Sequence, residues 1–265
     1  MLLRFALAID RASLYTGWEM DVPPAAWARY QELLAARAAG HPVHYLVGER
    51  EFMGLSFAVD PRVMIPRPET EVLVEYLLDF VRDHPAPTLV DVGTGSACIA
   101  VSLAVGAPQA RIFAIDISPQ ALEVARANAL RHHVEDRITF LEGDLLSPLP
   151  RHLRHQIDAI VSNPPYIPQA DAGQLPKEIR DHEPSLALFA PSAGTEVHAR
   201  LIADGPRWLG TGKVLAMEVG LGQAALVAAA IRQEGHYGDV HIRKDLAGID
   251  RVVAGVVSEQ RDAPR

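Results

Sequence analysis

TLVDVGTGSA, from Thr88 to Ala97, is the stretch of sequence that decides the fold. Its first half is a short apolar run typical of a buried strand, and Gly93 and Gly95 then permit positive φ and leave no Cβ beside a ligand. The apolar segment that follows begins a helix, whose first N–H groups are free to face a polar ligand. The stretch is therefore predicted to form a strand, a tight turn and a helix. A glycine-rich turn alone is weak evidence for a ligand, because ordinary strand-to-helix turns look the same.

A second strand-like run, from Arg111 to Asp116, ends in an acidic residue. A carboxylate in this position after a glycine turn suits the hydroxyl groups of a ribose. The competing role for Asp116 is to cap the next helix, but Ser118 followed by Pro119 is a better cap, so we expect Asp116 to be available to a ligand. The NAD fingerprint requires a third glycine where this chain has Cys98, whereas adenosine with a charged amino-acid tail also fits.

A third run, residues 157–162, leads into Asn163-Pro164-Pro165-Tyr166. The two prolines stiffen the turn and remove two backbone donors, which leaves carbonyl oxygens available. A planar NH2 group would donate one hydrogen to the Asn163 side chain and one to the Pro164 carbonyl, with Tyr166 packed on its plane. The tetrapeptide therefore predicts a site for an amide or an exocyclic base amine, with a rigid solvent loop as the alternative. Both motifs end strands, so in an open α/β sheet both are expected to face one crevice.

These motifs resemble the S-adenosylmethionine-dependent amino-methyltransferases, and four further segments narrow the resemblance. They are EREFMGLSF at 49–57, IPRPETE at 65–71, EPSLAL at 183–188 and KDLAGIDR at 244–251. Together they resemble the protein-(glutamine-N5) methyltransferases that modify peptide chain release factors, over nearly the whole chain. The resemblance implies a Rossmann-like class I methyltransferase fold. It also implies methyl transfer from S-adenosyl-L-methionine to the side-chain amide nitrogen of the glutamine in the Gly-Gly-Gln motif of release factors.

The resemblance also implies the site residues. The catalytic residues are Asn163, Pro164 and Tyr166, and these three with Pro165 are predicted to bind the substrate amide. The residues predicted to bind the cofactor are Asp91, Gly93, Thr94, Gly95, Ser96, Ala97, Asp116, Asp144, Leu145 and Asn163.

Three of these assignments have competing interpretations. Asp144 lies where this fold often contacts the adenine amine, and Leu145 where an apolar side chain covers the ring, but Asp also forms turns. Family members commonly carry Gly where this chain has Ala97; a methyl group there would crowd the cofactor's amino-acid tail, but we expect Ala97 to be tolerated because the start of a helix accommodates Ala. The histidines lack Cys or carboxylate partners at metal-ligand spacing, so no metal site is predicted.

The pattern of apolar residues predicts three regions. They are an N-terminal helical domain at 1–44, a β-hairpin linker at 45–68 and a methyltransferase domain at 69–265. The resemblance implies that the first of these engages the substrate. In the last of these, alternating strands and helices predict a parallel sheet with helices on both faces, closed by an antiparallel hairpin after residue 236. The predicted strands are 88–92, 111–115, 137–141, 157–162 and 213–219, and the predicted helices are 69–81, 97–105, 119–131, 195–208 and 222–234. The segment 167–182 is predicted to be a long loop that shapes the substrate cleft.

Composition limits the classes of function. The chain has 265 residues, 49% of them apolar, and a formal net charge of −8, which argues against a broad basic face for nucleic acid. A single cysteine suits a reducing cytoplasm, and no signal peptide or membrane span is expected. We expect a cytoplasmic monomer whose partners are release factors, with no direct nucleic-acid contact and no membrane. The family commonly begins earlier than this chain, so a shortened start that weakens substrate docking is also expected.

Three other functions remain open from the sequence. An adenine-N6 methyltransferase would use the same tetrapeptide, but such enzymes need basic contacts to phosphates. The second is a glutamine methyltransferase that modifies a large-subunit ribosomal protein. The segment 65–71 favours the release-factor branch of the family over this one. The third is a cofactor-binding protein without catalysis. The intact segment from Asn163 to Tyr166 argues against it.

Overall fold

Four helices come first in the chain. A computed structural model describes residues 1–17 and 19–259, so the last six residues of the predicted methyltransferase domain, 260–265, lie outside the described residues. Leu2, Leu33 and Val47 form the small buried core of the N-terminal helices. The helix at 43–47 was not predicted, because one short turn of helix gives no periodic signal. These helices are α1 (Leu2–Leu7), α2 (Arg11–Thr16), α3 (Pro24–Ala38) and α4 (Val43–Val47).

The predicted hairpin is present, with β1 (Glu49–Phe52) antiparallel to β2 (Leu55–Ala58). Met53 and Gly54 connect them, and both have positive φ, as in the turns that best match strand twist. Phe52 and Phe57 are buried, pack edge to face with ring centroids 6.1 Å apart, and join the main core. The hairpin is thus attached to the sheet domain by its aromatic face.

Within the described residues, seven strands form the central sheet, in the order β10-β11-β9-β6-β3-β4-β5. All neighbours are parallel except β11, which is antiparallel to β9 and β10 and gives the predicted closing hairpin. The other two strands of this region, β7 and β8, pair with each other. The bounds are β3 (Thr88–Val92), β4 (Arg111–Asp116), β5 (Ile138–Glu142), β6 (Ile157–Ser162), β7 (Ile167–Pro168), β8 (Phe189–Ala190), β9 (Leu209–Glu218), β10 (Tyr237–Lys244) and β11 (Asp250–Val257).

Helices cover both faces of this sheet, as predicted. Leu77 and Leu103 belong to the core on one face, and Leu201 and Ile231 to the core on the other. The central strands are buried on both sides, which is typical of a parallel sheet. The helices are α5 (Glu71–Val81), α6 (Cys98–Gly106), α7 (Pro119–Arg131), α8 (Lys177–Arg180), α9 (Ser185–Leu188), α10 (Glu196–Asp204) and α11 (Ala224–Glu234). No helix in the described part of the chain combines the length and apolarity needed to span a bilayer.

The segment 167–182 differs from the long loop that was predicted. It contains β7, a 3-10 turn over Gln169–Gln174 and the short helix α8. Strand β7 pairs in parallel with β8, which joins the start of the segment to a strand beyond its end. Elements of two to six residues separated by prolines have no periodicity, so the sequence could not reveal them.

The sheet changes direction at β3, and this is where the two motifs meet. The chain leaves β3 to form β4 on one side, and β6 lies on the other. Strands β3 and β6 run parallel, with Val92 paired to Ser162, so the glycine turn and the proline turn leave the same edge side by side. The predicted shared crevice is therefore present, at the position where open α/β sheets bind ligands.

Asn128 joins three parts of the fold. It lies on α7 and is fully buried. Its Oδ1 accepts from the Ala58 N–H at 2.7 Å, and its Nδ2 donates to the Ala58 carbonyl at 3.0 Å and to the Ser96 carbonyl at 2.9 Å. One side chain thereby connects the hairpin, the glycine turn and α7.

We expect Asn128→Ala to lower the free energy of unfolding by about 2–5 kcal/mol, because several buried backbone groups would lose their partners. Leu130→Ala is the matched control, since Leu130 lies on the same helix and is 60% exposed. Urea unfolding of both variants measures the effect. Equal stabilities of the two variants would show that Asn128 does not join these segments.

Candidate cofactor and substrate site

A cavity of about 380 Å³ lies at the crevice between the ends of β3 and β6. Arg67, Thr70 and Arg200 also line it, although the sequence did not predict Thr70 or Arg200 there. Four predicted residues, Asp91, Ala97, Pro164 and Tyr166, are not on its wall. The predicted residues that do line it are Gly93, Thr94, Gly95, Ser96, Asp116, Asp144, Leu145, Asn163 and Pro165.

The glycine turn faces this cavity with bare backbone. Gly93 and Gly95 have φ of 73° and 55°, and a Cβ added to either would meet no described atom within 4 Å. Asp91 lies behind the turn, fully buried, where its Oδ2 accepts from Thr94 Oγ1 at 2.6 Å and from the Ala100 N–H at 3.2 Å. Burial raises the pKa of Asp91 to about 7. Asp91 therefore fixes the turn, and its other oxygen, Oδ1, has no hydrogen-bond donor among the described residues.

Ala97 affects the turn through its backbone. Its φ of 61° and ψ of 25° are left-handed, and a non-glycine residue there is strained by about 1–2 kcal/mol. Ala97 is fully buried and does not line the cavity. The methyl group of Ala97 is therefore not on the wall that would face a cofactor tail.

Asp116 lies at the end of β4 and connects two turns. One carboxylate oxygen accepts from the Gly95 N–H at 2.8 Å and the other from the Ser118 N–H at 2.9 Å, and burial raises its pKa. Ser118 caps α7 by accepting from the Ala121 N–H at 3.2 Å, as predicted. Asp116 is thus less free than expected, but each carboxylate oxygen has a further lone pair to offer a ligand.

Asp144 and Leu145 lie across the cavity. Leu145 has a φ of 49°, and both residues line the wall. The Asp144 carboxylate forms an ion pair with Arg200 of α10, and both side chains are about half exposed. A ligand amine bound to Asp144 would share it with this guanidinium.

The tetrapeptide at the end of β6 has its acceptors open. Among the described residues, no donor bonds to the Pro164 carbonyl or to Asn163 Oδ1. Asn163 Nδ2 instead donates to Thr70 Oγ1 at 3.1 Å. The two oxygens that the sequence predicted to accept from an NH2 group therefore have no donor in the part of the chain that the structure describes.

A buried carboxylate missed by the sequence interpretation lies behind this tetrapeptide. Glu218 ends β9 and is 1% exposed. Its Oε2 accepts from Thr70 Oγ1 at 2.6 Å and its Oε1 accepts from the Tyr166 hydroxyl at 3.2 Å. An acid at the end of an apolar strand, the signal that identified Asp116, was also present here.

The segment 65–71 connects the cavity to its surroundings. Arg67 forms an ion pair of 2.6 Å with Glu183, whose side chain is 1% exposed and also accepts from the Ile65 N–H at 3.3 Å. Glu71 accepts from the Met53 N–H at 2.7 Å, which joins the hairpin turn to α5. Because the partner of Arg67 is buried, this pair positions a segment of the wall.

Two family models match the chain. The model of the methyltransferase small domain matches residues 69–179, and the model of the PrmC N-terminal domain matches residues 1–48. A protein of Bordetella pertussis named release factor glutamine methyltransferase is 44% identical over 96% of this chain and 92% of its own length. One of the same name from Moorella thermoacetica is 42% identical over 95% of this chain and 87% of its own length.

A solved structure has a similar fold. The N-terminal domain of human METTL16, in complex with SAH, matches with a TM-score of 0.57 over 86% of this chain and 84% of that one. The two are 16% identical, so this similarity concerns the fold alone. That fold is a mixed α/β methyltransferase sheet like the one described here.

The buried Glu218 predicts a dependence of stability on pH. Burial raises its pKa to about 7, so between its ordinary value and about 7 the folded protein binds a proton that the unfolded chain has released. Its contribution to stability is therefore complete at low pH and is lost as pH rises through this window. Glu218→Gln has no titrating group at this position. We therefore expect its free energy of unfolding, relative to that of wild type, to increase by on the order of 2–3 kcal/mol between pH 5 and pH 8.

Urea unfolding of both proteins at the two pH values measures this gain. Asp91 has a pKa raised in the same direction but is present in both proteins, so its effect cancels in the comparison. A stability difference that is the same at pH 5 and pH 8 would contradict the assignment.

Proposed function

The chain belongs to the family of release factor glutamine methyltransferases, and from this premise we infer that it methylates the glutamine of the Gly-Gly-Gln motif in peptide chain release factors. The methyl group moves from S-adenosyl-L-methionine to the side-chain amide nitrogen, N5. The observation that carries this inference is the pair of open acceptors, Asn163 Oδ1 and the Pro164 carbonyl, beside a cavity with a carboxylate suited to a ribose.

The cavity suits the cofactor in three respects. The bare backbone of Gly93 and Gly95 leaves room that a Cβ would fill. Asp116 offers lone pairs to the two ribose hydroxyls, and Asp144 with Leu145 would hold the adenine amine and ring. Behind the turn, one oxygen of the buried Asp91 has no donor among the residues that the structure describes. When bound, S-adenosyl-L-methionine supplies a methyl group that its sulfonium has already activated.

The remaining chemical problem is the nucleophile, because the lone pair of an amide nitrogen is delocalised into its carbonyl. Asn163 Oδ1 and the Pro164 carbonyl would accept the two N–H bonds of the glutamine and hold the nitrogen in one orientation. Such orientation contributes up to about 7–11 kcal/mol in well-aligned systems. The same oxygens favour the positive charge that develops on nitrogen in the transition state. Tyr166 would fix the plane of the amide, and the proton leaves to water after transfer.

The N-terminal helices are proposed to engage the release factor. Arg37 of α3 forms an ion pair with Glu178 of α8, so the N-terminal helices contact the segment that follows the tetrapeptide. The proposal includes a monomeric protein that acts in the cytoplasm and does not bind nucleic acid directly. The net charge of −8 supports the last point.

We expect Asn163→Ala to abolish methylation while it weakens cofactor binding only modestly, because the amide nitrogen loses its orienting acceptor. Mass spectrometry of release factor Gly-Gly-Gln peptides after incubation with enzyme and cofactor measures the product. Gln233→Ala, which removes an exposed amide on α11, is the control and should keep the wild-type rate. A near wild-type rate for Asn163→Ala would remove the assigned role.

The same assay separates the competing functions. Release factor, a large-subunit ribosomal protein and an oligonucleotide are offered in parallel with tritiated cofactor. Transfer to release factor alone supports the proposal. Transfer to the ribosomal protein instead would indicate a methyltransferase for the glutamine of another protein, and transfer to the oligonucleotide would indicate an adenine-N6 methyltransferase. No transfer to any of the three in a single turnover would indicate a cofactor-binding protein without catalysis.

We expect Asp116→Ala to raise the cofactor dissociation constant at least tenfold, because a ribose contact and the bond to the Gly95 N–H are both lost. Isothermal titration calorimetry with S-adenosyl-L-homocysteine measures the change. Asp136→Ala, at an exposed position before β5, is the matched control. Unchanged binding by Asp116→Ala would reject the ribose assignment.

A further inference from the structure

One buried carboxylate contacts, directly or through one hydroxyl, both side chains assigned to the substrate amide. Glu218 accepts from the Tyr166 hydroxyl on one oxygen and from the Thr70 hydroxyl on the other. Thr70 is 2% exposed and in turn accepts from Asn163 Nδ2. Glu218, Thr70 and Asn163 come from the end of β9, the segment before α5 and the end of β6, so the chain of bonds exists only in the folded protein.

The direction of each bond follows from the chemistry of the groups. In its ionised form the Glu218 carboxylate only accepts, so in that form both hydroxyls must donate to Glu218. Thr70 has a single hydroxyl hydrogen. Once Thr70 donates that hydrogen in a hydrogen bond to Glu218, its Oγ1 has only lone pairs left for other partners. Asn163 must then face Thr70 with its NH2 group, which turns Oδ1 towards the cavity. The orientation of the amide is therefore set by which of its neighbours can donate a hydrogen bond and which can only accept one.

We propose that Thr70 and Glu218 are positioning residues that hold the Asn163 amide with its oxygen, and not its nitrogen, towards the substrate. This inference rests on the proposed function. The end of a glutamine side chain carries both a carbonyl oxygen and an NH2 group. Asn163 Oδ1 accepts from the NH2 group and repels the carbonyl oxygen, so it presents nitrogen to the methyl donor. If the Asn163 amide were reversed, its NH2 group would face the cavity and would bind the carbonyl oxygen of the substrate glutamine instead of its NH2 group.

The same carboxylate also fixes Tyr166. The Tyr166 hydroxyl is bonded to Glu218, and the Tyr166 carbonyl accepts from Gln223 Nε2 at 2.9 Å. Gln223 Oε1 accepts from the Gly220 N–H at 2.9 Å, two residues beyond Glu218. Tyr166 is therefore held at its hydroxyl by the last residue of β9 and at its backbone carbonyl by the segment that follows β9.

Thr70→Val tests the proposal, because it keeps the shape of the side chain and removes the hydroxyl. We expect the single-turnover rate of methyl transfer to the release factor to fall at least tenfold, with the cofactor dissociation constant within about twofold of wild type. Thr70→Ser restores the hydroxyl and should keep the rate within about threefold. Thr139→Val, at an exposed position on the edge strand β5, is the control for replacing a threonine by valine away from the site.

A folded Thr70→Val protein with a wild-type rate would overturn the proposal, as would a Thr70→Ser protein as slow as Thr70→Val. If Thr70→Val does not fold, Glu218→Gln replaces it, since glutamine has one acceptor oxygen and an NH2 group in place of the second oxygen. We expect Glu218→Gln to be at least fivefold slower and yet to gain stability relative to wild type from pH 5 to pH 8, a combination that a purely structural carboxylate would not give. A wild-type rate in that variant would overturn the proposal.

These outcomes are distinct from a failure of the proposed function. If wild type itself transfers no methyl group to a release factor glutamine, the proposed function fails. If wild type is active and Asn163→Ala is inactive while Thr70→Val stays fast, only the positioning role fails.

Discussion

The parallel pairing of β3 with β6 is the constraint on which the site depends. Val92 pairs with Ser162, so the glycine turn and the proline turn leave neighbouring strands at the same edge. Strands that are far apart in sequence are thereby placed side by side, in a register that fixes which residues lie opposite each other at their ends. The cavity lies where these two turns diverge, and its walls are the segments that follow other strands at the same edge.

Buried carboxylates hold these segments in place. Asp91 and Asp116 accept from backbone N–H groups of the glycine turn or the start of α6, Glu183 accepts from Arg67 and the Ile65 N–H, and Glu218 accepts from two hydroxyls. In each case burial raises the pKa of the carboxyl, which means that the folded state disfavours the charge it contains. Such groups reduce stability and are found where a site must present fixed donors and acceptors. This site accordingly combines a rigid geometry with a stability that falls as the carboxyls ionise.

The segment 65–71 shows how one short stretch can serve several parts of the site. Arg67 joins it to Glu183, Thr70 joins it to Glu218 and Asn163, and Glu71 joins it to the hairpin. Its prolines restrict the backbone between these contacts and lower the entropy that ordering them requires. A motif that from sequence was only a marker of resemblance is thus a connector between the hairpin, the cavity wall and the tetrapeptide.

The sequence by itself determined the features that depend on neighbouring residues. Apolar runs predicted the central strands and long helices, Ser118 with Pro119 predicted the start of α7, and the stiff segment at Asn163 predicted two open acceptors. Tertiary structure alone decided which distant groups meet: Thr70 bonds to Glu218, which is 148 positions away, and Asp116 bonds across to Gly95. It also decided the short elements α4, β7 and α8, whose lengths are below any periodic signal. The physical reason is that periodicity and capping act within a few residues. The direction of the Asn163 amide instead depends on hydrogen-bond partners at the ends of two strands and in the segment before α5, which only folding brings together.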